Sequence, residues 1–204
     1  MGPRNFLVDS EAPMLADTSV VINLDATGCC GRILDALPNR LLVSEIAVDE
    51  LRRGEIEGAR EKNGIWEIIA RGQAEVVVLT CEGVRRFRSL TSGRAAETLG
   101  DGEAATIACA IDLKAVAAID ERKGLRISAE KFPSLVTATT LDSLAHPQVR
   151  SGLGMERLSE AMFNALTRAR MRVPRQYFHW VVELIGAENA RKCNSLPRSV
   201  RLYH

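Results

Sequence analysis

Four carboxylate side chains stand in segments of this chain that are otherwise apolar: Asp17, Glu50, Glu103 and Asp120. A buried, ionised carboxylate needs a partner, a raised pKa or a bound metal ion. Because four such groups gathered at one place repel each other, a divalent cation that prefers oxygen ligands is the natural relief. The pattern therefore predicts a metal-dependent site built from these four acids.

The two aspartates belong to runs that are typical of core strands. Asp17 interrupts the apolar run 14–22, and Asp120 ends the apolar run 115–120. Ligands of open α/β sheets bind at the carboxyl ends of parallel strands, which is where Asp120 is expected. A lone aspartate at a strand end more often caps the next helix or bonds a turn, and this interpretation stays open.

Helical geometry gives Glu50 an inward position. In a helix that begins near Ser44, with about 100° between residues, Glu50 projects at the edge of the apolar face. Glu45, Asp49 and Arg52 fall on the opposite side and are expected to be solvated. The alternative for Glu50 is a glutamate at the rim of the helix that pairs with an arginine.

Glu103 lies near the start of a helix that is apolar almost all round. It shares a stripe with Ile107 and Ala110, at spacings typical of one helical face. Asp101 is predicted to be the N-cap of this helix. The alternative for Glu103 is an acid of the first turn that complements the helix dipole.

The elements that must position these acids alternate along the chain. Apolar runs predict strands at 14–22, 41–43, 75–79, 115–120 and 135–138. The segments between them predict helices at 29–37, from Ser44 or Glu45 onward, and at 56–71, 81–90, 102–113, 121–131 and 141–145. Strands that are apolar throughout and alternate with helices indicate an α/β fold whose parallel sheet is covered on both faces. Beyond a boundary near 147–152, only helices are predicted, at 155–170, 174–185 and 188–193.

The charge is distributed unevenly over the 204 residues, although the net charge is only +1. Residues 150–204 contain ten Lys/Arg and four Asp/Glu, which leaves 17 and 22 in residues 1–149. An acidic body therefore carries a basic C-terminal part. Solvated helix faces with an Arg-rich end would produce this asymmetry, and so would a surface for phosphate or for an acidic partner.

Basic and aromatic residues are interleaved in the C-terminal part. They are Arg168, Arg170, Arg172, Arg175, Tyr177, Phe178 and Trp180. Base stacking combined with neutralisation of a nucleic-acid backbone uses such a mixture. Alternatively, the aromatic side chains form the core of the additional helices.

The cysteines and the termini indicate the compartment. The five cysteines form no Cys-x-x-Cys pair and no zinc pattern with the three histidines. Residues 1–12 contain charged side chains and lack the apolar stretch of a signal peptide. No segment approaches the roughly 20 apolar residues of a membrane span. We therefore expect a cytoplasmic protein with no membrane partner.

Four short segments, taken together and in order, resemble the PIN-domain nucleases. Residues 15–22, an aspartate followed by Thr-Ser and aliphatic residues, resemble the family's opening strand, and residues 44–51, which end in Glu-Leu, resemble its second motif. Residues 99–104 resemble the Leu-Gly-x-Gly-Glu-Ala helix start of one prokaryotic branch, and residues 119–122 resemble that branch's acidic motif at a strand end. Their order and spacing match over about residues 13–146.

The resemblance implies a PIN-like three-layer α/β/α fold with a central parallel sheet over residues 1–148. A basic helical extension would follow at 149–204. Two positions depart from the branch: Ala105 stands where a further glutamate is common, and Glu121 where a second aspartate is common. Both departures leave the four acids in place, but they bear on the number and affinity of metal ions.

The resemblance also implies the activity, that of an endoribonuclease that uses one or two Mg²⁺ or Mn²⁺ ions to hydrolyse RNA phosphodiesters. The acids would be both catalytic residues and metal ligands: Asp17, Glu50, Glu103 and Asp120. Mg²⁺ suits such a set, since it binds through a few carboxylates, keeps several waters and contacts substrate phosphate. The products would carry a 5′-phosphate and a 3′-hydroxyl.

Three further residues receive roles beside the acids. Ser19 would orient Asp17 or hydrogen-bond a metal-bound water. Arg122 and Lys123, just past Asp120, would neutralise substrate phosphate. Local backbone bonding is the alternative for Ser19, and ordinary surface charge is the alternative for the two cations.

Many prokaryotic members of this family are toxins, so the resemblance predicts the toxin of a toxin–antitoxin pair. Its expected partners are RNA, a small antitoxin protein and a second copy of the chain. The alternative is a catalytically inactive PIN-like RNA-binding or assembly module. A phosphotransfer receiver domain also gathers acids at strand ends, but it is disfavoured because Asp17 stands alone after the first strand.

Overall fold

The computed structural model describes residue 7 and residues 11–56 and 64–202. The strands are β1 (Met14–Ala16), β2 (Leu41–Ser44), β3 (Ala74–Val77), β4 (Val116–Ala118) and β5 (Thr137–Ala138). They form one sheet in the order β3-β2-β1-β4-β5, and every neighbouring pair is parallel. The chain moves from β1 outward to β3 and then returns to the other side of β1. The carboxyl ends of β1 and β4 are therefore the place where such sheets bind ligands.

Helices connect and cover the strands. They are α1 (Thr18–Ala26), α2 (Cys30–Ala36), α3 (Glu45–Ile56), α4 (Ile65–Ala70), α5 (Cys81–Thr91), α6 (Asp101–Leu113), α7 (Arg122–Lys131), α8 (Thr140–Ala145), α9 (Pro147–Arg168), α10 (Phe178–Ile185), α11 (Ala187–Lys192) and α12 (Arg198–Leu202), with a 3-10 turn at Arg175–Tyr177. None of the described helices is long and apolar enough to cross a membrane.

Apolar clusters lie on both faces of the sheet because successive strand residues point to opposite sides. Met14 and Ala16 join the cluster that includes α1, α2, α8 and α9. Leu15 faces the other way and joins the cluster of α5 and α6, together with Leu42 and Ala117. The predicted α/β/α architecture with a central parallel sheet is thus confirmed.

The C-terminal helices pack directly on the sheet-covering layer. Helix α9 contacts α1, α2 and α8, and its Met162 belongs to the same apolar cluster as Val20. Within α9, Gly154 has a φ of +71°, which interrupts the helix at a residue that tolerates this conformation. The division of the chain at residue 148 stays a prediction, and the apolar cluster runs across it.

The predicted strand over 14–22 is wrong after residue 16. Asp17 has an extended backbone and accepts a hydrogen bond from the Val20 N–H, so it ends β1 and begins α1. The apolar residues that follow are helical and buried. A short run of β-branched residues does not distinguish a buried strand from a buried helix, and here the capping aspartate decides.

Three predicted helix limits also change. The N-cap of α6 is Gly100 rather than Asp101, which is the first helical residue. The helix predicted to begin at 155 already begins at Pro147, a residue suited to the first turn. The helix predicted over 56–71 is described as α4 from Ile65, and residues 57–63 lie outside the described residues.

Candidate active site at the ends of β1 and β4

Asp17 is held at the carboxyl end of β1 by its own helix. Its Oδ1 accepts hydrogen bonds from the Val20 N–H at 2.7 Å and from the Ser19 hydroxyl at 2.9 Å. Its own N–H donates to the Ala118 carbonyl of β4 at 3.1 Å, which extends the pairing of the two strands. The side chain is 1% exposed. Asp17 is therefore a buried carboxylate whose position is fixed by the start of α1.

Asp120 lies two residues beyond β4, beside Asp17, and neighbouring elements hold it. Its Oδ2 accepts from Asn23 Nδ2 at 2.6 Å and from the Thr140 hydroxyl at 2.5 Å. Its Oδ1 accepts from the Thr140 N–H at 2.8 Å. Helices α1 and α8 thus clamp the Asp120 carboxylate from two sides.

Glu50 joins three helices. Its Oε1 accepts from the Gly102 N–H of α6 at 2.9 Å, and its Oε2 accepts from the Thr18 hydroxyl of α1 at 2.5 Å. A Cβ atom at position 102 would lie 2.3 Å from Glu50 Oε2, so only glycine permits this approach. The inward position predicted for Glu50 agrees with these contacts.

Glu103 presents an oxygen that the protein leaves open. Among the described residues, its buried Oε1 has no hydrogen-bond partner. The same oxygen lies against α7, where a Cβ atom at Gly124 would approach it to 2.6 Å. A buried carboxylate oxygen without a donor is costly unless the group is protonated or binds a cation.

The acids influence one another electrostatically. Burial, and after it the Asp120 carboxylate, raises the pKa of Asp17 from 3.8 to about 8, and Glu103 adds to this effect. The hydrogen bonds from Val20 and Ser19 act in the opposite direction. Carboxylates that perturb each other in this way lie close together, and such perturbation is common at functional sites.

The pKa values of Glu103 and Asp120 are raised as well. Burial raises the pKa of Glu103, Glu121 and Glu50 raise it further, and the Gly100 N–H and the Lys123 ammonium oppose them. Burial also raises the pKa of Asp120, against the hydrogen bonds from Thr140 and Asn23. The four acids therefore form one cluster, which we call the acidic site (Asp17, Glu50, Glu103 and Asp120).

The donor chemistry of the acidic site fits a hard divalent cation, because all four ligands offered are carboxylate oxygens. The open Oε1 of Glu103 points to the same class of ligand. However, no group of three or more His, Cys, Asp or Glu side chains among the described residues is already arranged to hold a metal ion. The carboxylates of Asp17, Glu50 and Asp120 accept hydrogen bonds from protein donors, so a cation would have to replace some of these bonds.

The three residues predicted beside the acids lie in different surroundings. Ser19 donates to both Asp17 oxygens, at 2.9 and 3.1 Å. Lys123 donates to the Ala95 carbonyl at 2.6 Å and lies near Glu103. Arg122 lines a cleft beside Asp120.

Several residues that hold the acids were not singled out from the sequence. Thr18, Asn23 and Thr140 donate to Glu50 or Asp120 across 32, 97 and 20 residues of sequence. Asn23 carried a signal, since it is a polar residue between the apolar residues Ile22 and Leu24 of α1. The threonines carried none, because the sequence does not show which distant acid a hydroxyl will meet.

The next residues along α8 form a second polar corner. One Asp142 oxygen accepts from the Thr139 N–H and hydroxyl, both at 2.7 Å. The Asp142 N–H in turn donates to the Thr139 hydroxyl at 3.4 Å, and together with the bond from the Thr139 N–H it forms a capping box. The other Asp142 oxygen accepts from the Tyr177 hydroxyl at 2.5 Å. We call these three residues the Asp142 corner (Thr139, Asp142 and Tyr177), and it ties the C-terminal part to the start of α8, where Thr140 lies.

Comparison with known proteins gives one match. No curated protein and no solved structure matches the chain. A family model described as a PIN domain matches residues 13–187, which include all five strands, the acidic site and the C-terminal helices α9 and α10. PIN domains are generally nucleases and usually bind divalent metals, in agreement with the cluster of carboxylates found here. On this match, and with the parallel sheet and its acidic site in place, the chain belongs to the PIN-domain family.

Proposed function

We propose that this protein is a divalent-metal-dependent endoribonuclease that hydrolyses RNA phosphodiesters at the acidic site. The observation that carries the proposal is the convergence of four carboxylates at the carboxyl ends of β1 and β4. The strand order reverses there. Asp120 and Glu103 raise the pKa of Asp17, and Glu50 raises that of Glu103, so the acids lie close together. A scaffold without a bound cation has no physical need for such a cluster.

The acids would hold one or two Mg²⁺ or Mn²⁺ ions: Asp17, Glu50, Glu103 and Asp120. When bound, such an ion stabilises charge on the phosphate and the leaving oxygen and activates water for attack. The chain's own contribution is positioning. Ser19 and the start of α1 orient Asp17, Thr140 and Asn23 orient Asp120, and Gly102 orients Glu50.

A non-catalytic RNA-binding or assembly module is the second candidate function. One observation favours it, namely that no three acidic, His or Cys side chains of the described residues are already arranged as a metal site. If Glu50 and Asp120 keep their hydrogen bonds to protein donors and bind no metal ion, the cluster is a polar network between helices rather than a catalytic centre.

Cleavage of a mixed pool of structured and single-stranded RNA tests the two candidates. The wild type, Asp17→Asn and Glu103→Gln would be compared in Mg²⁺, in Mn²⁺ and in EDTA. Asp101→Asn is the matched control, because Asp101 is an exposed acid in the same helical turn as Glu103. Metal-dependent cleavage that is lost in the first two variants and kept in the control supports the nuclease. RNA binding by a well-folded wild type without cleavage supports the module.

Thermal melting addresses the metal separately. Mn²⁺ should raise the midpoint of unfolding of the wild type and of Asp101→Asn, because a ligand that binds only the folded state stabilises it. The shift should be much smaller in Asp17→Asn. Equal shifts in all three proteins would mean that the ion binds elsewhere.

The proposed biological role is that of a toxin in a toxin–antitoxin pair, with a small antitoxin protein and a second copy of the chain as partners. It rests on the resemblance of the acidic motifs to those of one prokaryotic branch. Induced expression of the wild type should arrest bacterial growth, Asp17→Asn should not, and co-expression of an adjacent small gene should restore growth. Arrest by both proteins would contradict a ribonuclease toxin.

A further inference from the structure

A cleft of about 290 Å³ opens beside the acidic site, and the proposed function does not use it. Asp120 lines it. The start of α7 contributes Arg122 and Leu125, and the segment 172–178 contributes Arg172 and Phe178. Ligand pockets in proteins begin at about 300 Å³, so the cleft is sized for one small ligand or for one unit of a polymer.

The charged part of the cleft suits an anion. Arg122 lines the cleft and is exposed, and within the described part of the chain it makes no hydrogen bond or ion pair. Arg172 pairs with Glu121 at 3.3 Å, but the two side chains are 59% and 49% exposed. An ion pair as exposed as this stabilises the fold little, so its guanidinium can turn to a phosphate at small cost. Guanidinium groups are well matched to phosphate oxygens.

The apolar part of the cleft suits a flat ring. Phe178 is half-buried, so its side chain is partly anchored in the core and partly presented to the cleft. Leu125 and Pro174 complete this wall. By contrast, the neighbouring Tyr177 is 1% exposed and bonds Asp142, so it belongs to the core. Phe178 therefore fits the interpretation of the C-terminal aromatic residues as base-stacking groups, and Tyr177 fits their interpretation as core residues.

We propose that this cleft binds one nucleotide of the RNA strand next to the bond that is cut, with its phosphate on Arg122 and Arg172 and its base on Phe178. The inference rests on the proposed function, because it takes Asp120 as part of the cleavage site. The phosphate lies on the arginines, because their guanidinium groups attract it and the Asp120 carboxylate, which also lines the cleft, repels it. The basic C-terminal part then supplies half of a substrate-binding subsite.

Binding of a fluorescent RNA pentamer, measured by anisotropy in EDTA at several salt concentrations, tests the subsite without any need for cleavage. Phe178→Leu keeps an apolar side chain but removes the ring, and it should weaken binding about 5-fold or more. Arg172→Ala should weaken binding and reduce the slope of log K against log salt by about 0.7. The matched control is Arg175→Ala, which removes an exposed arginine three residues away that does not line the cleft.

The outcomes separate the subsite from the nuclease. Arg175→Ala should bind like the wild type, and melting curves should show that all variants are folded. Equal losses in Arg172→Ala and Arg175→Ala would overturn the subsite in favour of diffuse charge, as would unchanged binding by Phe178→Leu or no binding by the wild type. If the wild type cleaves RNA but the cleft variants keep its KM, only the subsite fails. If the variants lose binding and the wild type never cleaves, only the nuclease fails.

Discussion

Two buried aspartates near the carboxyl end of the sheet, Asp17 and Asp142, differ in the groups that surround them. Asp17 is 1% exposed and Asp142 is 5% exposed. In the Asp142 corner, donors from Thr139 and Tyr177 surround the carboxylate. In the acidic site, the neighbours of Asp17 include two further carboxylates, and they raise its pKa. Burial alone does not mark a functional acid; the difference lies in whether the surroundings supply donors or more negative charge.

The adjacent threonines of the same turn serve these two sites separately. Thr139 donates to Asp142, whereas Thr140 donates to Asp120. One site is a closed hydrogen-bond network that stabilises a helix start. The other keeps an open oxygen on Glu103, and its neighbouring carboxylates raise the pKa of Asp17. The first site therefore stabilises the fold, whereas the second costs stability in the absence of a cation.

The largest expected difference is in cleavage. Asp17→Asn should lower kcat/KM for RNA by about 100-fold or more, since changes to groups that merely support metal ligands already cost 10- to 100-fold. Asp142→Asn should cost far less, because the Asp142 carboxylate accepts from Thr139 and Tyr177 and acts on the acidic site through its charge, which raises the pKa of Asp120. Steady-state kinetics on one RNA would measure both. Similar losses of kcat/KM in the two variants would contradict the distinction between a functional Asp17 and a structural Asp142.

Substitutions of the adjacent threonines Thr139 and Thr140 should have effects of intermediate size. Thr140→Val should lower cleavage by about 10-fold or more because the Asp120 carboxylate loses its shortest hydrogen bond. Thr139→Val should instead lower stability by about 1 kcal/mol, as expected for a lost N-cap. Kinetics and urea unfolding on both variants would check this. Interchanged effects would show that the roles have been assigned to the wrong threonines.

The pH dependence of stability should show the cost of the acidic site. The folded-state pKa of Asp17 is raised to about 8 from 3.8, so the folded protein binds the proton more tightly than the unfolded chain. Its contribution is therefore fully present below about pH 4 and is lost as the pH rises through 8. In EDTA, Asp17→Asn should melt higher than the wild type at pH 8 and should lack this part of the decline. A wild type whose stability rises from pH 5 to 8 while that of Asp17→Asn stays level would contradict the shift.

The smallest expected effect on RNA cleavage concerns the link to the C-terminal part. Tyr177→Phe removes the hydroxyl that donates to Asp142, and this should lower the free energy of unfolding by about 1–3 kcal/mol. Denaturant unfolding would measure it. The RNA KM should stay near that of the wild type, because Tyr177 does not line the cleft beside Asp120. A large change in KM without a loss of stability would place Tyr177 in the substrate site instead.

The sequence predicted most of the fold because its strongest signals are local. Buried parallel strands are apolar throughout, and helices alternate with them, so the order of elements follows from hydropathy alone. The errors lie at boundaries, where capping decides: Asp17 ends a strand that the apolar run seemed to continue, and Gly100 rather than Asp101 caps α6. Propensity differences at such positions are smaller than a single side-chain hydrogen bond.

By itself, the sequence determined that the chain is an α/β protein and which four carboxylates stand in apolar surroundings. Only the tertiary structure decided what each of them meets. Strand order brings Asp17 beside Asp120, Gly102 lets Glu50 approach α6, and the C-terminal segment closes a cleft next to Asp120. The contact between Glu50 and Gly102 joins residues 52 positions apart, and the contact between Asn23 and Asp120 joins residues 97 positions apart. Hydropathy and capping act over a few residues, whereas strand order and helix packing set such distances, and no local pattern encodes them.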